Sequence, residues 1–251
     1  MVTSGQPSDG TLRLAEVRDN LGLLHLKRFE FHSKQSLRVT SVSEVGPHTM
    51  PSKGWEEDLN VAILNYEETR RLLHVCNRPI PWDLQGNLAT CYRSRFFHLG
   101  DREDIERSIK SCRIVISEFS PSDKFYPGML SELACRLAEK YNSYGRSEDL
   151  HEAIIHIERA LTLRPDNTLY RGQRAEMYRF RFMITNDVGD LDIAISESRK
   201  CVDSNMLKGF GQADLTRQLA KALMQRFETT WVIEDLGEAI EMVKELVDKL
   251  H

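Results

Sequence analysis

Residues 148–165 run Glu148-Asp-Leu-His-Glu-Ala-Ile-Ile-His-Ile-Glu-Arg-Ala-Leu-Thr-Leu-Arg-Pro165. Leu150, Ala153, Ile154, Ile157, Ala160 and Leu161 recur at three- and four-residue intervals, which puts them on one face of a helix. Ser147, Glu148 and Asp149 bring hydrogen-bond acceptors and negative charge to its N-terminal end. Arg164 places a cation at the other end, and Pro165 cannot continue the helix.

The same helix recurs along the chain. The hexamer Asp149-Leu150-x-x-Ala153-Ile154 returns as Asp58-Leu59-x-x-Ala62-Ile63, Asp104-Ile105-x-x-Ser108-Ile109, Asp190-Leu191-x-x-Ala194-Ile195 and Asp235-Leu236-x-x-Ala239-Ile240. Successive aspartates stand 46, 45, 41 and 45 residues apart. A period of this length marks a stacked array of helical units.

A second helix precedes each hexamer. Sixteen residues before the aspartate stand Leu88-Ala89, Leu133-Ala134, Arg174-Ala175 and Leu219-Ala220. Four residues on come Tyr92, Leu137, Tyr178 and Leu223, then Phe96, Tyr141, Phe182 and Phe227. The small residue predicts a close helix approach, and the aromatic stripe predicts core packing. Asn20-Leu21-Gly22 carries the same register 37 residues before Asp58, so 21 extra residues fall between about His32 and Gly54. That stretch is rich in Ser, Thr, Val, Gly and Pro and is expected to be an inserted loop, with Val39 to Val45 as a candidate short strand.

Five helix pairs follow. First helices are expected from near Leu12, Pro81, Pro127, Leu169 and Ala213, and second helices from near Trp55, Asp101, Ser147, Val188 and Val232. The pairs span about 12–78 (with the insertion at 32–54), 79–121, 122–165, 166–206 and 207–251, and residues 1–11 are expected to be a disordered tail. Asp101-x-x-Asp104 and Asp187-x-x-Asp190 fit an N-cap with an acidic third position, which gives the repeated aspartates a structural role.

These residues resemble the tetratricopeptide repeat. Residues 122–165 match it best, through Leu133-Ala134-x-x-Leu137 followed by Ala153, Ile157, Ala160-Leu161 and Pro165. The repeat here is 41–46 residues instead of about 34. Gly-Asp-x-x-Asp-Leu-x-x-Ala-Ile, preceded by Arg-Phe (Arg28-Phe29, Arg95-Phe96, Arg181-Phe182, Arg226-Phe227), is similar to the long-repeat arrays of basidiomycete fungal proteins, which often precede a CHAT peptidase domain. The resemblance covers about residues 12 to 250. It implies an all-α fold, a right-handed α-solenoid of five antiparallel helix pairs.

Composition narrows the function. Of 251 residues, 41% are hydrophobic and 29% charged, as in an ordinary globular chain. A net charge of -4 argues against a nucleic-acid partner. No apolar run approaches the ~20 residues of a membrane helix, no secretory signal opens the chain, and a cytoplasmic location is expected. Cys76, Cys91, Cys112, Cys135 and Cys201 have no C-x-x-C spacing and are expected to be reduced thiols, with Cys112 and Cys201 in the core.

The sequence offers no catalytic set. His151-Glu152-x-x-x-His156 spaces its histidines five apart, about 140° around a helix, where a zinc pair needs four. Gly209-Phe-Gly211 lacks the third glycine of a dinucleotide fingerprint and is expected to be a helix–helix turn. No phosphate loop or nucleophile elbow occurs, so no catalytic residue, cofactor or metal ligand is expected.

The expected function is a non-enzymatic scaffold that binds a peptide or partner helix in a concave groove lined by first helices. The resemblance places the groove at Thr90, Arg93 and Ser94, Cys135 and Glu139, Glu176 and Arg179, and Lys221 and Gln225. The alternative is a regulatory or sensor segment of a larger CHAT-peptidase-like or signalling fungal protein. The last helix has no polar cap, which predicts either self-association through that end or truncation from a longer protein.

Overall fold

A computed structural model describes residues 9–39, 54–203 and 210–250. They form ten helices and, among the described residues, no strand. First helices are α1 (Asp9–Val39), α3 (Trp82–Leu99), α5 (Tyr126–Tyr144), α7 (Thr168–Thr185) and α9 (Phe210–Thr230). Second helices are α2 (Trp55–Val75), α4 (Arg102–Glu118), α6 (Ser147–Leu163), α8 (Val188–Asp203) and α10 (Ile233–Leu250). The chain divides into two compact bodies, Met1–Phe119 with α1–α4 and Ser120–His251 with α5–α10.

Three expectations change. α1 begins at Asp9, within the stretch expected as a tail, and residues 1–8 lie outside the described ones. α1 also runs on to Val39, into the expected insertion. Residues 33–39 contain no Gly or Pro and include Lys, Gln, Leu and Arg, all good helix formers, so the backbone continues. The remainder of the insertion, including most of the candidate strand, lies outside the described residues, as does Gly209; Phe210 and Gly211 open α9. Finally, α6 starts at Ser147 on Arg146, with no side-chain cap. In contrast, the Asp101 side chain accepts from the Glu103 N–H, and Asp187 accepts from the Gly189 N–H, as caps should.

The helices of a pair run antiparallel. In the first pair Arg28, late in α1, bonds Asp58, early in α2, and the Thr69 hydroxyl, late in α2, donates to the Ala15 carbonyl at 3.3 Å. In the fourth, the Cys201 thiol at the end of α8 donates to the Thr168 carbonyl at the start of α7. The small register position lets the helices meet: the Ser108 hydroxyl reaches the Ala89 carbonyl at 2.7 Å. Gly22 sits so close to Tyr66 that a Cβ there would lie 3.0 Å from the ring.

Pairs then stack on the apolar hexamer face. In the first body Leu59, Ala62, Ile63 and Tyr66 of α2 pack with Leu84, Leu88, Cys91 and Tyr92 of α3. Polar bonds at the edge repeat with the register. Tyr92 of α3 donates to Glu67 of α2 at 2.7 Å, and Tyr178 of α7 donates to Glu158 of α6 at 2.7 Å. Both glutamates stand nine residues after the hexamer aspartate. Tyr92, Phe96, Tyr178 and Phe182 are buried as the stripe predicts, whereas Tyr141 and Phe227 are half-buried. Cys112 and Cys201 are in the core, and burial pushes the Cys91 thiol up to about 12 and Cys201 to about 11.

The turn before each second helix needs a left-handed residue four positions before the aspartate. Gly54, Gly100, Gly145 and Asn186 fill it, with φ of 111, 72, 72 and 53°. The last pair puts Trp231 there at φ 59°, 77% exposed. A bulky residue in this conformation costs about 1 kcal/mol or more. Trp231→Gly is therefore expected to raise stability by about 1 kcal/mol, read as a higher urea midpoint with an unchanged slope.

Candidate functional site

The repeated aspartates do more than mark the helix start. In α4, α6, α8 and α10 each is the third helical residue, and each is buried. A cation nine residues upstream, near the end of the first helix, closes on it. Arg95 Nε and Nη2 donate to Asp104 at 2.8 and 2.6 Å. Arg226 grips Asp235 at 2.7 and 2.6 Å, and Arg181 grips Asp190 in the same fork. In the first pair the spacing is 30, nine plus the 21 inserted residues, and Arg28 together with His25 holds Asp58. In four of the five pairs the Arg of the Arg-Phe and the Asp of the hexamer thus form one clasp. Two clasps also reach back to the preceding pair: Arg95 donates to Asn60, and Arg226 to Asp192, both at 2.7 Å.

The third pair has a lysine. Lys140 Nζ meets Asp149 Oδ1 at 3.0 Å, and Asp149 Oδ2 is buried with no hydrogen-bond partner. An ammonium is a point donor, whereas a guanidinium bonds both carboxylate oxygens. Lys140→Arg is expected to satisfy the second oxygen and to raise stability by about 1 kcal/mol, measured by urea denaturation.

The clasps set an acid limit. Burial pushes the Asp58 carboxyl up, but the bonds from Arg28 and His25 outweigh it and hold it below the usual range. The bond from Arg226 does the same for Asp235, against its burial. A depressed folded-state pKa gives stability that is fully present above about pH 4, the ordinary aspartate value, and is lost as the pH falls through the depressed value. The wild-type protein is expected to lose stability steeply between about pH 4 and 2. Asp58→Asn/Asp235→Asn is expected to be less stable at pH 7 and flatter over that window, as thermal melts across pH would show.

With these groups engaged inside the array, the candidate binding residues lie on first helices. In the second body α7 lies beside both α5 and α9. This brings Glu139 of α5, Glu176 and Arg179 of α7, and Lys221 and Gln225 of α9 into one electrostatic neighbourhood. Arg179 donates to Gln225 across the two helices at 3.5 Å. Burial pushes the Glu176 carboxyl up; Arg179 and Lys221 pull it down, while Asp214 and Glu139 push it further up. Burial also lowers Arg179, opposed by Glu176. Cys135, Glu139, Glu176, Arg179 and Gln225 are half-buried and Lys221 is exposed. In the first body Thr90, Arg93 and Ser94 lie half-buried on α3. The Thr90 hydroxyl is turned to the Gly86 carbonyl at 3.0 Å, and Arg93 lies over the Phe97 ring at 4.7 Å.

His151 is exposed, and His156 lies 3.4 Å from Glu152. Among the described residues no three His, Cys, Asp or Glu side chains gather as a metal site would require, and no helix is long and apolar enough to cross a membrane.

The sequence matches no family model and no curated protein. Solved structures are similar in fold. The nearly identical TPR-like repeats of a Podosopora anserina putative kinesin light chain superpose with a TM-score of 0.53 at 13% identity, over 89% of this chain and 97% of their own. MamA superposes with a TM-score of 0.51 at 14% identity, over 82% of this chain and 99% of its own.

Proposed function

On this tetratricopeptide-like all-α repeat fold, we propose that the chain is a non-enzymatic cytoplasmic scaffold whose first-helix face takes a peptide or partner helix. The observation that carries the reading is the set on α5, α7 and α9. Glu139, Glu176, Arg179, Lys221 and Gln225 form a mixed-charge strip on adjoining helices, with charged groups partly removed from water. Partial desolvation strengthens an ion pair with an incoming peptide and makes its register selective. Cys135 adds an apolar edge, and Thr90, Arg93 and Ser94 present the corresponding face of the first body. A peptide with alternating acidic and basic residues fits this strip.

The test uses peptides selected from a random display library on the immobilised protein. Arg179→Glu is expected to weaken the selected peptides by tenfold or more at low salt, with helix content unchanged. Unaltered affinity for every selected peptide would count against the groove.

A second reading is favoured by one observation. The α9–α10 surface is apolar and uncovered, lined by Met224, Ile240 and Val243 among others. A further element of a larger CHAT-peptidase-like or signalling protein of the long-repeat fungal type would cover it. Sequencing the natural transcript discriminates: a frame running past His251 into such a domain supports this reading, and a stop there removes it.

A further inference from the structure

The stacking face has a register, and the first and last pairs break it in complementary ways. In the first body Ile63 and Tyr66, five and eight residues after the hexamer aspartate, pack with α3 of the next pair, and Tyr66 also meets Gly22 of its own. Where a first helix follows within the same body the residues at these two positions are buried: Ile63 and Tyr66, Ile154 and Ile157, Ile195 and Ser198. Their counterparts in α10, Ile240 and Val243, are each 45% exposed.

First helices show the converse. The positions 20, 16 and 13 before the aspartate face the preceding pair. In α3 these are Leu84, Leu88 and Cys91, and in α9 Leu215, Leu219 and Ala222; all six are buried. Counting the 21 inserted residues, the same positions in α1 are Val17, Leu21 and Leu24, and these are 63%, 41% and 67% exposed. α1 is therefore a first helix with an uncovered stacking stripe, and α9–α10 is a pair with an uncovered seat for a first helix.

We propose that copies of this chain associate head to tail, the α1 stripe of one seating on the α9–α10 face of the next as α9 seats on α7 and α8. The interface continues one that the fold already uses within each body, so it requires no new chemistry, only apolar burial in the established register. A two-fold pairing of α10 on α10 would bury that face but leave Val17, Leu21 and Leu24 in water. The contact is heterologous, which yields rings or open chains. It goes beyond the first-helix groove and adjoins it at Lys221, which also lines the α9–α10 face; the variants that test association leave Lys221 and the rest of the strip unchanged, so in them loss of association leaves peptide binding intact.

Light scattering and sedimentation on the full chain test the proposal. The wild type is expected to exceed its 29.0 kDa monomer mass increasingly with concentration, past the dimer. Val17→Glu/Leu24→Glu and Ile240→Glu/Val243→Glu are each expected to be monomeric, with unchanged helix content because all four residues are exposed. An equimolar mixture of the two variants retains one intact face of each kind and is expected to form dimers and nothing larger. A wild type that stays monomeric at high concentration overturns the proposal. So does a dimer lost only in the α10 variant, which would mean two-fold pairing, and so does a mixture that remains monomeric.

Discussion

Arg95→Ala is expected to cost about 3 kcal/mol. The guanidinium holds both oxygens of Asp104, whose side chain is 2% exposed, and removing it leaves a buried carboxylate without its counter-charge. Breaking one side of such a pair costs roughly 3–5 kcal/mol. The low end applies because Arg95 itself is 21% exposed and water can enter where it stood. The bond to Asn60 is lost as well, so the contact with the preceding pair weakens along with the hairpin. Arg95→Lys keeps the charge and loses the fork, and about 1 kcal/mol is expected. Arg95→Met/Asp104→Asn removes both charges and is expected to cost less than the sum of the two single changes, because neither partner is then left buried and unpaired. Urea denaturation followed by tryptophan fluorescence reads the effect, since Trp55 and Trp82 both report on the first body. A cost under about 0.5 kcal/mol, the size of a surface pair, would show that the clasp contributes little.

Gly22→Val is expected to be equally damaging, at about 3 kcal/mol. The other four pairs carry alanine at this register position, so the repeat pattern alone favours a larger residue. The structure reverses that expectation. A Cβ at Gly22 would stand 3.0–3.1 Å from three carbons of the Tyr66 ring, and Tyr66 is fully buried and cannot retreat. In the other four pairs the residue at the register position of Tyr66 is Cys112, Ile157, Ser198 or Val243, each smaller than tyrosine. Glycine and tyrosine are one volume-conserving exchange across the α1–α2 contact. Gly22→Ala gains about 1 kcal/mol of helix propensity against about 1–3 kcal/mol of overpacking, so a net loss near 1 kcal/mol is expected. In Gly22→Ala/Tyr66→Ile the loss should be smaller than the two single changes predict, by about 1 kcal/mol or more in a double-mutant cycle.

Much of the architecture was legible because helical periodicity is a local signal. The expected second helices begin within one residue of the observed ones, and the hexamer residues Leu59, Leu150 and Leu191 are buried. The clasps were visible only in halves. Arg-Phe and Asp-Leu each recur, and their separation of nine is in the sequence, but an acid at the third helical position is equally explained by the helix dipole. Only antiparallel packing joins the halves. The strained Trp231 was hidden for a related reason: the left-handed conformation belongs to the turn, and nothing in Thr-Thr-Trp-Val announces it. Of the candidate site, register placed the residues on first helices. That Arg179 reaches Gln225 from 46 residues away, and that Glu176 is partly withdrawn from water, depends on how tightly α7 and α9 pack, with Gly172 against Leu215. The exposure of Val17, Leu24, Ile240 and Val243 depends on what covers each face, which no single helix encodes.

The central claim is that partners bind on the first-helix face. Carboxyl footprinting tests it on the native chain, with a display-selected peptide at saturation as the probe. Labelling of Glu139 and Glu176 is expected to fall several-fold on binding, while Glu106 and Glu234, on second helices, keep their rates. Unchanged labelling of Glu139 and Glu176, with protection moved to the second-helix carboxylates, would contradict it.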